Sequence, residues 1–454
     1  MKYIAETDFT EILSSIRDLI EKQNQGALLN LLIDLHPADV AEFLTDLKKE
    51  ERKYLFHLLP TKIASAVLTE LDTPIVDQII ENVSDQRLST LVDIMDSDDA
   101  ADIISELPDE VAQRVLNRIP DKVSDDVKGL MLYGEDTAGG IMALEFVAVN
   151  ENSTVNETID EIRKAHEKNG TIHNIWVIDT NNILKGSVSL TDLVLATEKS
   201  RISKIVKTDV KFAHTDMDQE EVAILFRKYD LVDLPVVDSL HQLVGQITID
   251  DIIDVVEEEA SEDISLFAGA NDEEIQEDSF LKISIIRLPW LMVAFVGELI
   301  AATIIQQFET TIIQLIALTF FMPVIMAMGG NSGIQSSIIV IRGMATREIS
   351  VESTWRRFFR ELRVSLFIGF VFGLIMIVVV GLLQGNFVMG LMIGITLNIV
   401  ILQASLFGGM IPFILKRVNV DPALASGPFI TTMNDIFGLL IYLAILTASI
   451  KYIV

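Results

Sequence analysis

The sequence predicts a multidomain membrane protein in four parts. They are an all-α superhelical N-terminal domain (1–133), an α/β domain built as a tandem pair (134–258), a connecting helix (259–281) and a five-helix transmembrane domain (282–454). Three observations predict this. The 454 residues carry 35 Lys and Arg against 66 Asp and Glu, or −31. From Lys282 onward there are 11 basic and 7 acidic residues, leaving 24 against 59, or −35, for the first 281. Apolar runs of membrane-spanning length crowd the second region, and two kinds of internal repeat fill the first.

The first repeat lies within 25–130. Turn signals recur in "LHPADV", "LLPTKI", "LDTPIV", "VSDQRL", "DSDDAA", "LPDEVA" and "IPDKVS", mostly about a dozen residues apart. Apolar positions at helical spacing separate them. The pattern predicts short helices, each started by Asp, Ser or a first-turn Pro, stacked as a superhelix. Alone it says scaffold.

The second repeat is sharper. "WVIDTNNILKGSVSLTDLV" (176–194) aligns without gaps on "PVVDSLHQLVGQITIDDII" (235–253), offset by 59. Asp179 pairs with Asp238, Gly186 with Gly245, Asp192 with Asp251. Each copy reads as strand, Asp turn, Gly-containing strand and Asp-started helix, after an amphipathic helix. Two such β-α-β-β-α units resemble a tandem CBS pair. The resemblance implies a regulatory module that often dimerises and binds adenine nucleotides.

The connection to the membrane part runs through "DDIIDVVEEEASEDISLFAGANDEEIQED" (250–278). As a helix, Asp251, Asp254, Glu258 and Glu262 fall on one face. Like charges at this spacing destabilise a helix by a few tenths of a kcal/mol per pair. A solvated face is the bland explanation; a sensor relieved by a bridging divalent cation is the functional one. Asp98, Asp99 and Asp102 in "SDDAADII" form a second acidic cluster.

Five spans follow, at about 287–308, 312–330, 364–383, 388–415 and 428–449. Arg342, Arg347, Arg356, Arg357, Arg360 and Arg363 lie between spans two and three, and Lys416 and Arg417 between spans four and five. The loops "QFETT" and "LQGNF" contain no basic residue. The positive-inside rule puts the N-terminus and the basic loops in the cytoplasm and the C-terminus outside the plasma membrane. "MKYIAETDFTEILSS" lacks the apolar stretch of a signal peptide, in keeping with that orientation. "MGGNSGIQSS" (328–337) is expected to break span two and expose backbone carbonyls.

Asp435 stands inside span five, where a carboxylate costs at least about 2.5–3.5 kcal/mol on insertion scales. Glu298 in span one is a second intramembrane acid. A two-fold dimer meeting at span five would set two copies of Asp435 face to face. Oxygen donors without thiols favour a hard ion, Mg²⁺ or Ca²⁺.

The acidity argues against nucleic acid as a partner and suits cations. With no Cys, disulfides, thiolate metal sites and a cysteine nucleophile are excluded. An enzyme is disfavoured: the six His are scattered and no nucleophile–base pair is visible.

In this order of parts, over essentially the whole chain, the sequence resembles the MgtE family of magnesium channels. The matching pieces are "EDTAGGIM" (135–142), "EEEASEDI" (257–264), "PWL" (289–291), "GGNSGIQS" (329–336) and "DPALASGPFITTMNDIFGLLIY" (421–442). The resemblance implies a lipid-embedded homodimer that imports Mg²⁺ through a pore on its axis, with hydrated Mg²⁺ held at Asp435. It makes the connecting helix a plug, and it makes cytosolic Mg²⁺, bound among the acidic domains, the closing signal. Carried over by position, a plug-to-membrane site falls on Glu262 with Asp421. Sites among the cytosolic parts fall on Asp98, Asp102, the backbone of Gly140, Asp251, Asp254 and Glu259. Further acids of the CBS pair are Asp218, Glu220 and Asp230. The competing expectation is a CBS-regulated secondary transporter that couples a divalent cation to protons through Glu298 and Asp435.

Overall fold

The computed structural model describes residues 6–169, 172–268, 279–345, 354–418, 420–422 and 427–453. Residues 269–278 of the expected connecting helix, Arg347 of the basic loop and 423–426 ahead of span five lie outside the described residues. The chain divides into two compact units, Met1–Glu259 and Ala260–Val454.

The first unit begins with ten short helices among the described residues, from α1 (Glu6–Glu21) to α10 (Asp121–Leu130). Local chemistry punctuates them. Pro37 opens α3 (Pro37–Thr45), and the Ser84 hydroxyl accepts from Arg87 N at 3.3 Å to start α7 (Asp85–Val92). Helix ends leave carbonyls without intrahelical donors, and two arginines reach back to fill them. Arg52 donates to the carbonyls of Leu44, Thr45 and Leu47 at 2.8–3.0 Å. Arg87 does the same for Phe56, His57 and Leu59 at 2.9–3.1 Å.

The repeat pair folds as two three-stranded sheets: β1 (Ala148–Asn150), β2 (Asn174–Ile178) and β3 (Leu184–Ser189), then β4 (Ala213–His214), β5 (Asp233–Val237) and β6 (Leu243–Thr248). In each, the first two strands are parallel and the last two antiparallel. The offset of 59 survives in detail. Val177 pairs with Gly186, and Val236 with Gly245. Asp179 accepts from the backbone of Asn181 and Ile183, and Asp238 from Leu240 and Gln242. A Cβ on Gly186 would stand 2.2 Å from the Lys207 carbonyl oxygen, which explains the glycine there. The second sheet shares its core with the helical domain, through Phe226, Leu234, Val236 and Ile247, whereas the first has its own, around Ile175, Val177 and Val188. From Ile249 one unbroken helix, α14, runs to Ala268, through residue 259 where the connecting helix was expected to begin.

The second unit holds the helices long and apolar enough to cross a membrane, five among the described residues. They are α15 (Phe280–Gln307), a 3₁₀ turn (Ile316–Phe321) leading into α17 (Met322–Ala345), α18 (Thr354–Gln384), α19 (Phe387–Arg417) and α20 (Gly427–Ile453), with a six-residue helix α16 (Glu309–Gln314) after the first. The expected break at 328–337 is absent: α17 is helical throughout. Its glycines serve close packing instead. A Cβ on Gly408 would stand 2.0 Å from the Gly333 carbonyl oxygen. Small residues at span interfaces let backbones approach where lipid supplies no hydrophobic drive. The irregular segment lies earlier, in the 3₁₀ turn, where the Tyr442 hydroxyl donates to the Leu318 carbonyl at 2.8 Å.

Candidate cation sites

One candidate site is built by the first unit alone. Helix α8 (Ser97–Ser105) carries Asp98, Asp99 and Asp102. Its N-terminus is fastened to the strand-rich part. The Ser97 hydroxyl donates to Glu145 Oε2 at 2.8 Å and accepts from Leu144 N at 2.8 Å. Thereby α8 faces the first turns of α14. There the Thr248 hydroxyl donates to Asp251 Oδ2 at 2.7 Å, a start shared with Ser189 and Asp192 in the first copy. Two acids at the N-terminus of α8 suit its dipole, which favours negative charge there.

The electrostatics are those of crowded acids. Asp98 is 8% exposed. Burial, then Asp251, Asp99 and Asp96, push its carboxyl well above the ordinary range. Burial, then Asp251, Asp96, Asp102 and Asp250, raise Asp99 to about 7. Asp102 keeps a solvent-facing side, yet protein packed round its other sides, with Glu106, Glu135, Glu258 and Asp251, raises it to about 6. Asp251 is raised to about 6, chiefly by burial and against its bonds from Thr248. Asp254 and Glu258 rise for the same first cause, with Asp250 and Asp254, respectively, as the leading charged neighbours. Glu70 on the helical domain is raised by burial, Asp254 and Asp250.

The structure thus brings Asp98, Asp102, Asp251 and Asp254 together. It adds Asp99, Glu135 and Glu258, which the carry-over by position did not include. Glu259 accepts from the Gln219 side chain at 2.7 Å. Gly140 ends a tight turn in which a Cβ would stand 2.4 Å from the Gly134 carbonyl oxygen. Asp218 bridges to Thr137 of that turn and caps α13 (Gln219–Tyr229), accepting from Glu220 N at 3.0 Å. Asp230 ends α13 in the left-handed region, φ 51°, about 18 Å along the helix from Asp218. Asp230 is therefore a helix terminator placed apart from Asp218 and Glu220. Among the described residues no three His, Asp or Glu side chains converge as a cage. The donor set still fits Mg²⁺, which keeps several waters and takes only one or two carboxylates directly.

The second candidate site lies in the membrane unit. Asp435 on α20 is 7% exposed, and Glu298 on α15 is the acid beside it. Contact between α15 and α20 is close: a Cβ on Gly297 would overlap Thr432 Cγ2. Asn434, Thr432 and Ser405 are buried near the same level of the bundle. Glu262 on α14 and Asp421 before α20 are both exposed, and Phe267 of α14 packs on the Ile341–Ile430 cluster beside Gly427.

Sequence reasoning missed one buried ionic group. Glu361 is 8% exposed and Arg357 9%, on α18, with the Ser336 hydroxyl donating to Glu361. Arg357 to Glu361 is a loose 3.6 Å pair. The Arg run marked this stretch as a loop before span three. The i, i+4 spacing of Arg357 and Glu361 was the available helical signal.

The chain is similar to known proteins along most of its length. Residues 322–445 match the family described as MgtE, divalent cation transporter. Residues 35–136 match the MgtE intracellular N domain, and 138–199 and 202–258 match the CBS domain. The magnesium transporter MgtE of Thermus thermophilus is 35% identical over 437 residues, covering 95% of this chain and 97% of that protein. The magnesium transporter MgtE of Bacillus subtilis is 35% identical over 422 residues, 93% of each. A crystal structure of the cytosolic domain of the Mg²⁺ channel MgtE in complex with ATP superposes with a TM-score of 0.51 at 35% identity, over 54% of this chain and 99% of that one.

Proposed function

Because the chain belongs to the MgtE family of magnesium transporters, we propose that it passes Mg²⁺ inward as a channel and closes when cytosolic Mg²⁺ rises. The observation that carries this reading is Asp435, a buried acid in the last span of a magnesium-transporter chain. Two copies in a homodimer supply two carboxylates, enough for an ion that keeps most of its water. Asp421 and Glu262 serve a site at the cytoplasmic side of the spans.

Closure is electrostatic in this proposal. Ionised acids on α8 and α14 repel, and divalent ions bridging Asp98, Asp102, Asp251, Asp254 and Glu259 offset the repulsion. Asp218 and Glu220, beside the Gly140 turn, take part; Asp230 serves a separate ion. The CBS pair binds an adenine nucleotide, a reading supported by the ATP complex of the 35%-identical cytosolic domain. Purified protein in liposomes tests the function: Mg²⁺ influx should follow an imposed potential and vanish in Asp435→Ala.

A second reading has its own observation, the contact of Glu298 with Asp435. Paired intramembrane acids also serve proton relays. Flux at zero pH gradient separates the two, since an obligate proton-coupled carrier shifts its reversal potential with pH.

A further inference from the structure

Two amides inside the membrane unit do not satisfy each other. Gln403 on α19 donates through Nε2 to Oδ1 of Asn434 on α20, at a long 3.3 Å. Asn434 is 1% exposed. Its Nδ2 and the Oε1 of Gln403 are buried and meet no partner. Reorienting the amides does not help. Turning one alone sets nitrogen against nitrogen or oxygen against oxygen; turning both keeps one bond and again strands one donor and one acceptor.

Nor can neighbouring helices supply the partner. On one side Gly333 of α17 presents bare backbone, where a Cβ would stand 2.2 Å from Asn434 Nδ2 and 2.9 Å from Ile430 Cγ2. Spans two, four and five therefore meet at this amide. Apolar residues of similar size would remove the cost of stranded groups outright. Buried polar atoms without protein partners are the places where internal water is held.

We propose that Gln403 and Asn434 hold a bound water inside the bundle, and that this water sets the placement of Asp435, one residue on. Both amides are positioning residues for the hydrated ion. The inference rests on reading Asp435 as the permeation acid. Without the water, α20 shifts, and Asp435 meets the ion directly rather than through its hydration shell. Direct ligation favours Ni²⁺ over Mg²⁺ in the general affinity order of divalent metals.

The test uses full-length Gln403→Met and Asn434→Leu, singly and together, in liposomes, with Mg²⁺ and Ni²⁺ influx measured in parallel. Each single variant strands the amide that is left and should lower the thermal midpoint, whereas the double variant should keep or raise it. Mg²⁺ influx should fall about tenfold or more, as small misplacements of a reacting group do. The Ni²⁺-to-Mg²⁺ ratio should rise about fivefold. Unchanged influx and ratio with raised stability would make the pair a packing defect and overturn the inference. If no variant folds, radiolytic labelling of the wild type in H₂¹⁸O decides: label on Ile430 supports a bound water, and its absence overturns it. Wild-type protein without Mg²⁺ flux, or full flux in Asp435→Ala, would instead fail the functional reading.

Discussion

Asp435 is held at 7% exposure in a helix otherwise able to sit in lipid, and the proposed function assigns it to conduction rather than to stability. Replacing a buried charge by an apolar side chain is often neutral or stabilising. Asp435→Ala should therefore leave the thermal midpoint in detergent unchanged or higher. Its Mg²⁺ influx should fall by about 100-fold, the factor that some 2.8 kcal/mol of lost attraction corresponds to. A melt and a flux assay on one preparation check both halves. Gly333 is the opposite case. Gly333→Ala drives a methyl into Asn434 and should destabilise the bundle by about 1–3 kcal/mol, measured by the same melt. Asp435 was legible in the sequence because a single carboxylate in an apolar run has no bland explanation. Asn434 was not, since an amide in a span usually finds interhelical partners, and only coordinates reveal that its Nδ2 has none. Glu361 was hidden by the arginines around it, which belong to a helix that starts at residue 354.

Among the elements, α8 and α14 hold the crowded acids. The raised carboxyls of Asp98, Asp99, Asp102 and Asp251 bind protons more tightly folded than unfolded. Stability from such groups is full below their unfolded value of about 4 and is lost as pH rises through about 6 to 7. Without divalent ions, the midpoint of the cytosolic transition should drop between about pH 5 and pH 7.5. Each kcal/mol lost should cost about 2–4 °C. Millimolar Mg²⁺ should restore it at pH 7.5 and do little at pH 5. A flat or rising midpoint across that range would remove the acids as a cation sensor. Asp98→Asn with Asp251→Asn should raise the metal-free midpoint at pH 7.5 and abolish the Mg²⁺ response. The acidic stripe and "SDDAADII" could be read as candidates from helical spacing alone. Their meeting could not, because it depends on Ser97 gripping Glu145, 48 residues away, with no local pattern to announce it. Span two was misread for a related reason. Gly-rich stretches loosen helices in water, but here they let α17 lie against α19 while staying helical.

At the scale of the molecule, the two compact units differ in charge: Met1–Glu259 carries −28 and Ala260–Val454 only −3. Deleting residues 1–130 removes Asp98 and Asp102 along with the helical domain. Mg²⁺-dependent closure should weaken while conduction persists, read as a right-shifted inhibition curve in patch recordings. The most direct test of the central claim is Mg²⁺ current through purified protein under a clamped potential at zero pH gradient. The proposed channel should carry a downhill current that is lost in Asp435→Ala and suppressed by Mg²⁺ on the side of the acidic domains. Persistence of the current in Asp435→Ala would contradict it.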